Sequence, residues 1–207
     1  MLIPKLVQFV LMTVKKHKID ESHSLSHGMN VLHFAHNILE SELPNHLYLE
    51  KQRNIIYTSA LIHDMCDKKY MNEYIGLANI ESYLAKNTTL TKNEIEVSNE
   101  IINLMSYSKV KQNGFPDFGA YQLAYHIVRE ADLLAAYDFD RSIIYNMNNV
   151  NSDFNISYQN ALDLFENRVF RHHRDHLFVT EYSKKLSQQL EEKSKERIRI
   201  WNKCLGK

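Results

Sequence analysis

The chain has 207 residues, with 25 basic and 25 acidic side chains and a formal charge of zero, so no overall field draws it to nucleic acid, an anionic membrane or an acidic partner. Its two cysteines, Cys66 and Cys204, lie far apart and lack paired spacing, which argues against a disulfide framework or a structural zinc cluster and fits a reducing, cytoplasmic setting. The length suffices for one well-buried core and demands no second domain.

Five glycines and three prolines, against recurring Leu, Lys, Glu, Gln and Ala, bias long windows toward helix, so an all-α, single-domain helical bundle is expected. Met1 to Val14 is interrupted by Pro4, Lys5 and Gln8 and runs into Lys15 and Lys16 without a small-residue cleavage site. It reads as an amphipathic helix burying Leu6, Phe9, Val10 and Val14. A second buried face follows in Val31, Phe34, Ala35 and Ile38, and a third in Ile55, Ile56, Ser59, Ala60 and Ile62. Further helical patterns run over residues 72–85, 94–105, 121–136, 158–170 and 176–201, and Thr91 followed by Glu94 predicts a capping box. Residues 106–119, with Gly114, Pro116 and Gly119, read as a loop whose Lys109 and Lys111 are available to a phosphate-bearing ligand. The asparagine-rich residues 146–155 read as a second loop with no functional role. No run approaches the roughly 18 to 20 apolar residues that span a membrane.

The strongest local signal is Ser59-Ala-Leu-Ile-His63-Asp64, an apolar helical stretch that ends in a nitrogen ligand beside a hard carboxylate and is followed by Asp67, Lys68 and Lys69. Two helical neighbours diverge by about 100°, so His63 and Asp64 share an ion only if it sits between their faces, and other helices must complete the set. Asp132 interrupts the apolar pattern of Ala131, Leu133, Leu134 and Ala136, and a buried carboxylate there needs a cation to compensate it. For the remaining nitrogen ligand His17, His23, His27, His33 and His36 all compete. His23 and His27, four apart, share one face.

The order His27, His63-Asp64, Asp132 resembles the HD superfamily of metal-dependent phosphohydrolases, an all-helical fold with a His, His-Asp, Asp ligand set. His23-Ser-Leu-Ser-His27 with Val31 and Ala35 is similar to the family's opening helix, and Ala60-Leu-Ile-His63-Asp64-Met-Cys-Asp67-Lys-Lys69 to its central motif. Glu130-Ala-Asp132-Leu-Leu-Ala-Ala, with the later helices, is similar to a bacterial-type subgroup predicted to act on nucleotides. The chain departs from relatives at Asn30, where they commonly carry arginine, and at Leu133 and Ala135, where the subgroup usually carries arginine and aspartate. These are positions that bear on substrate recognition.

The resemblance implies one divalent ion on His27, His63, Asp64 and Asp132, with manganese or magnesium first and cobalt, nickel, iron or zinc as alternatives. The metal-site core then covers about residues 22–140, with C-terminal helices at about 156–202 packed on it. Asp67 is expected to orient or deprotonate the attacking water, and Lys69 to serve with it in catalysis. Lys68, Lys109 and His23 are assigned to a small phosphorylated substrate, first of all a nucleotide. Dinuclear members of the fold need two further histidines between the His-Asp pair and the last Asp. Only His126 lies there, so one metal is expected and His126 is read as a packing residue. The competing reading is a regulatory module that binds metal or nucleotide without chemistry. The cluster Arg171-His-His-Arg-Asp-His176 is read as a solvated helix junction, so neither a nucleic-acid nor a membrane partner is expected, and self-association is left open.

Overall fold

The computed structural model describes residues 1–206. Among these the chain is all-α, as composition and periodicity predict, with ten α-helices and no strand. No helix among them is long and apolar enough to cross a membrane. The chain divides into two compact units, Met1–Asp132 and Leu133–Lys207, the division falling within one helix.

The first unit begins with α1 (Leu2–His17), where Pro4 sits harmlessly in the first turn, whose N–H groups have no helical acceptor. Lys18, in the left-handed conformation at φ 53°, ends the helix. Then come α2 (Leu25–Glu42) and α3 (Arg53–Ile62), followed by α4 (Glu73–Asn87) and α5 (Lys92–Leu104). The α3 helix is the hub. It packs against α1, α2 and α5 and buries Ile55, Ile56, Thr58, Ser59, Ala60, Leu61 and Ile62. The capping box of α5 is present in full: Thr91 accepts from the Glu94 backbone N–H, and the Glu94 carboxylate accepts from that of Thr91.

The stretch 106–119 is not a plain loop. Ser106 caps a short helix, α6 (Tyr107–Asn113), by accepting from the Lys109 backbone N–H, and irregular chain is confined to residues 114–118 before a single 3-10 turn. The unit closes with α7 (Gln122–Ala135), buried on every side from Ala124 to Ala131.

The second unit comprises α8 (Phe139–Asn149), α9 (Phe154–Asn167) and α10 (Glu181–Cys204). Here the asparagine-rich segment departs from expectation, since residues up to Asn149 are helical. Asn146, Asn148 and Asn149 each turn the side-chain amide back onto the carbonyl four residues earlier, so these amide donors are satisfied within the helix. Phe139 meets Tyr158 and Phe165 edge-on, with ring centroids 5.6 and 5.1 Å away, and Asp140 accepts from Arg197 and from the Trp201 indole. The last helix starts at Glu181, capped by Thr180, rather than near His176, whose φ of 54° breaks the chain direction. Nor is the basic cluster wholly solvated: His172 is fully buried beside Tyr137 and Phe178, while Arg171, Arg174 and His176 are exposed.

Candidate metal centre

Close packing of two helices builds the centre. A Cβ on Gly28 of α2 would stand 2.6 Å from the backbone oxygen of Leu61 in α3, so only glycine lets the helices come this near. The neighbouring His27 thereby reaches His63, and their Nε2 atoms lie 3.2 Å apart. At Ile62 the α-helix gives way to a 3-10 turn over His63–Cys66, ended by Asp67 in an extended conformation. Side chains three apart eclipse in such a turn, so Asp67 keeps to the edge of Asp64 although α3 does not continue.

Four side chains converge. Asp64 presents Oδ2 to His27 Nε2 at 3.4 Å and Oδ1 to His63 Nε2 at 3.3 Å. Asp132, from α7, places Oδ1 3.4 Å from His27 Nε2 and 3.5 Å from His63 Nε2. Bonds of roughly 2.0–2.2 Å to one ion set neighbouring ligand atoms about 3.0–3.5 Å apart, the spacing found here. The His63 imidazole is oriented from behind by the Ala60 carbonyl, 2.9 Å from Nδ1, which accepts Nδ1–H and leaves the Nε2 lone pair facing inward. Asp64 Oδ2 is buried and accepts no hydrogen bond, an arrangement a cation would complete. His27, His63 and Asp64 each offer a ligand atom within 4.8 Å of the others and can hold a metal ion, with Asp132 beside both imidazoles.

The electrostatics point the same way. Burial pushes His63 down, but the carboxylates of Asp64 and Asp132 outweigh it and lift the imidazole to about 9. Burial pushes Asp64 and Asp132 up, and the imidazoles around them, His63 foremost for Asp64 and His27 for Asp132, hold both below the ordinary carboxylate range. Burial and the Asp64 charge push the Cys66 thiol up to about 12, so it stays protonated beside the centre.

The remaining expected site residues divide. His23, Asp67 and Lys69 lie together: Lys69 Nζ is 3.1 Å from His23 Nε2 and 3.3 Å from Asp67 Oδ2. Lys68 is exposed on the same turn. Lys109 lies in α6, where its ammonium donates to the Glu73 carboxylate at 2.7 Å and to the Asn103 carbonyl at 2.7 Å. His126 is outside the metal cluster, 3.0 Å from the Gln122 amide and 3.3 Å from Arg129.

Sequence reasoning missed the support under His23. Asp20 caps the turn by accepting from the Ser22 backbone and also accepts from the Tyr70 hydroxyl, and Ser22 Oγ and Tyr70 OH lie 2.6 and 3.2 Å from His23 Nδ1. Asp20 ahead of Ser22 is a capping pattern that local sequence carries, but nothing in the sequence joins Tyr70 to it. Also missed was the buried ion pair on α7, Arg129 Nη2 to Glu130 Oε1 at 3.2 Å.

No protein-family model and no curated protein matches the chain. A crystal structure of a structural-genomics protein from Lactobacillus plantarum is similar to it, with a TM-score of 0.71 and 17% identity over 98% of this chain and 96% of that one. At that identity the likeness is one of fold.

Proposed function

We propose that the protein is a metal-dependent phosphohydrolase of the HD type, with nucleotides as the first substrate class. The observation that carries the reading is the convergence of two Nε2 atoms and two carboxylates at 3.3–3.5 Å, built from three helices, with His63 oriented by a backbone carbonyl. A divalent ion there lowers the pKa of bound water and neutralises charge developing on phosphoryl oxygens. The chain supplies the rest. Asp64 and Asp132 hold the ion and keep the site anionic until it is loaded. Asp67, on the same edge as Asp64 and half-buried, takes the proton of the attacking water. Lys69 and the exposed Lys68 place positive charge where substrate phosphates arrive. The neutral overall charge fits a substrate recognised by such local groups rather than by a long-range field.

The test is a phosphate and pyrophosphate release screen on metal-stripped protein reloaded with manganese, magnesium, cobalt or nickel, across nucleoside mono- and triphosphates. Release that depends on metal and disappears in Asp64→Ala is the expected result. Stoichiometric metal binding with no release from any nucleotide would turn the assignment toward a binding module.

A further inference from the structure

Beside the four-residue set lies a second group of donors. His23, Asp64 and Asp67 each offer a ligand atom within 4.8 Å of the others, and Asp64 belongs to both sets. One imidazole and two carboxylates sharing a carboxylate with a first ion is the layout of a two-metal site, in which the cations stand about 3.5–4 Å apart. Here, however, a cation of the chain's own already lies on two of those donors. Lys69 Nζ is 3.1 Å from His23 Nε2 and 3.3 Å from Asp67 Oδ2.

We infer that the Lys69 ammonium takes the place of a second metal ion, so that the centre binds one divalent cation and carries its second positive charge on a tether. The arrangement is built for this. The Lys69 backbone N–H donates to Asp67 Oδ1 at 2.9 Å, which fixes the start of the side chain on the carboxylate it neutralises. His23 Nε2 must be unprotonated to accept from an ammonium, and its Nδ1 faces Ser22 Oγ at 2.6 Å, whose hydroxyl donates in turn to Asp20 Oδ1. That chain favours the tautomer with hydrogen on Nδ1 and the lone pair on Nε2, the form that suits either an ammonium or a metal. A lysine ammonium is a compact point charge with three donors, and at hydrogen-bond distances it satisfies what a metal would hold at shorter range. The Lys69 side chain is 41% exposed, so removing it opens the position without excavating the core.

The inference rests on the reading that the first set holds a metal, and one experiment separates the two. Purified, metal-stripped protein is dialysed against manganese, bound metal is counted, and the electron paramagnetic resonance spectrum is recorded. Wild-type protein is expected to bind one ion per chain and to show an uncoupled six-line signal. Lys69→Ala is expected to bind two and to show exchange coupling through the shared Asp64. Lys69→Arg, which keeps the charge, and His23→Ala/Lys69→Ala, which removes a donor, are each expected to bind one. Two ions in the wild type, or one in Lys69→Ala, would overturn the inference and leave the metal reading standing. No bound metal in any of these proteins would overturn both.

Discussion

The α7 helix carries two buried charged clusters within a single turn, and they solve the same electrostatic problem in opposite ways. At Asp132 two carboxylates and two imidazoles face one another, and the positive charge among them is that of a titratable imidazole, His63, which must give up its proton to a metal. At Arg129 and Glu130, 2% and 0% exposed, the counterion is the next residue in the chain, and the guanidinium lies 4.6 Å from the Phe115 ring centroid. Burial alone identifies neither as functional. What distinguishes them is where the compensation of charge comes from: Glu130 is met by a guanidinium within the chain, although Arg129 Nε and Nη1 stay buried without a hydrogen-bond partner, whereas convergent ligand atoms leave a place for an ion.

The sharpest way to break this contrast is to unbalance each cluster and ask whether metal matters. Removing one partner of a buried ion pair costs roughly 3–5 kcal/mol, because the remaining charge stays buried without compensation. Glu130→Ala is therefore expected to lose about that much in urea unfolding, by the same amount with and without manganese beyond the ordinary stabilisation by ligand. Manganese that restored the lost stability in Glu130→Ala, or a loss below about 1 kcal/mol, would show that the Arg129 pair is not self-contained.

A smaller effect, of opposite sign at the two clusters, comes with pH. Burial and the neighbouring Arg129 guanidinium hold His126 down to about 4. The unfolded imidazole protonates near 6.5. Between those values the unfolded state binds more protons, so stability falls as pH drops through that window, by up to about 3 kcal/mol from this group. His63 behaves conversely in metal-free protein: its folded value of about 9 lies above the unfolded one, so its contribution is full below pH 6.5 and is lost as pH rises through 9. Metal needs His63 neutral, so loading at pH 7 is expected to release a proton, and manganese affinity to climb with pH until about 9. Calorimetric titration in buffers of different ionisation heat reads the proton directly. Metal affinity flat between pH 6 and 9 would remove His63 from the ligand set.

The parts legible in the sequence are those governed by local periodicity and local chemistry. The α1, α2 and α3 helices announce themselves by apolar residues three and four apart, and the α5 cap by Thr91 and Glu94. His63, Asp64 and Asp132 show as polar interruptions of apolar runs. Choosing His27 among five histidines needed a family resemblance, because what singles it out is Gly28 beside it and the Leu61 carbonyl across from it, a contact between helices. The α8 helix was hidden for a different reason: asparagine is a poor helix former, and the amide-to-carbonyl bonds that satisfy it exist only once the helix has formed. Likewise Lys69 on His23 is a pairing across 46 residues that no window reveals.

Gly28 tests how far the metal centre depends on backbone rather than on ligands. An alanine in a helix interior is worth up to about 1 kcal/mol over glycine. Its Cβ here would meet the Leu61 carbonyl oxygen at 2.6 Å, a backbone atom that cannot rotate aside. Overpacking of this kind typically costs about 1–3 kcal/mol, so Gly28→Ala is expected to be destabilised by up to about 2 kcal/mol net, read in urea unfolding. The larger consequence falls on the ligands, since α2 and α3 must separate and the 3.2 Å spacing of the two Nε2 atoms is set across that contact. Manganese affinity is expected to fall on the order of 10–100-fold, as when the groups supporting a ligand are disturbed, although no ligand has been touched. A loss of stability with affinity unchanged would mean that the His63–Cys66 turn carries the imidazole spacing by itself, and that the close approach of α2 serves packing alone.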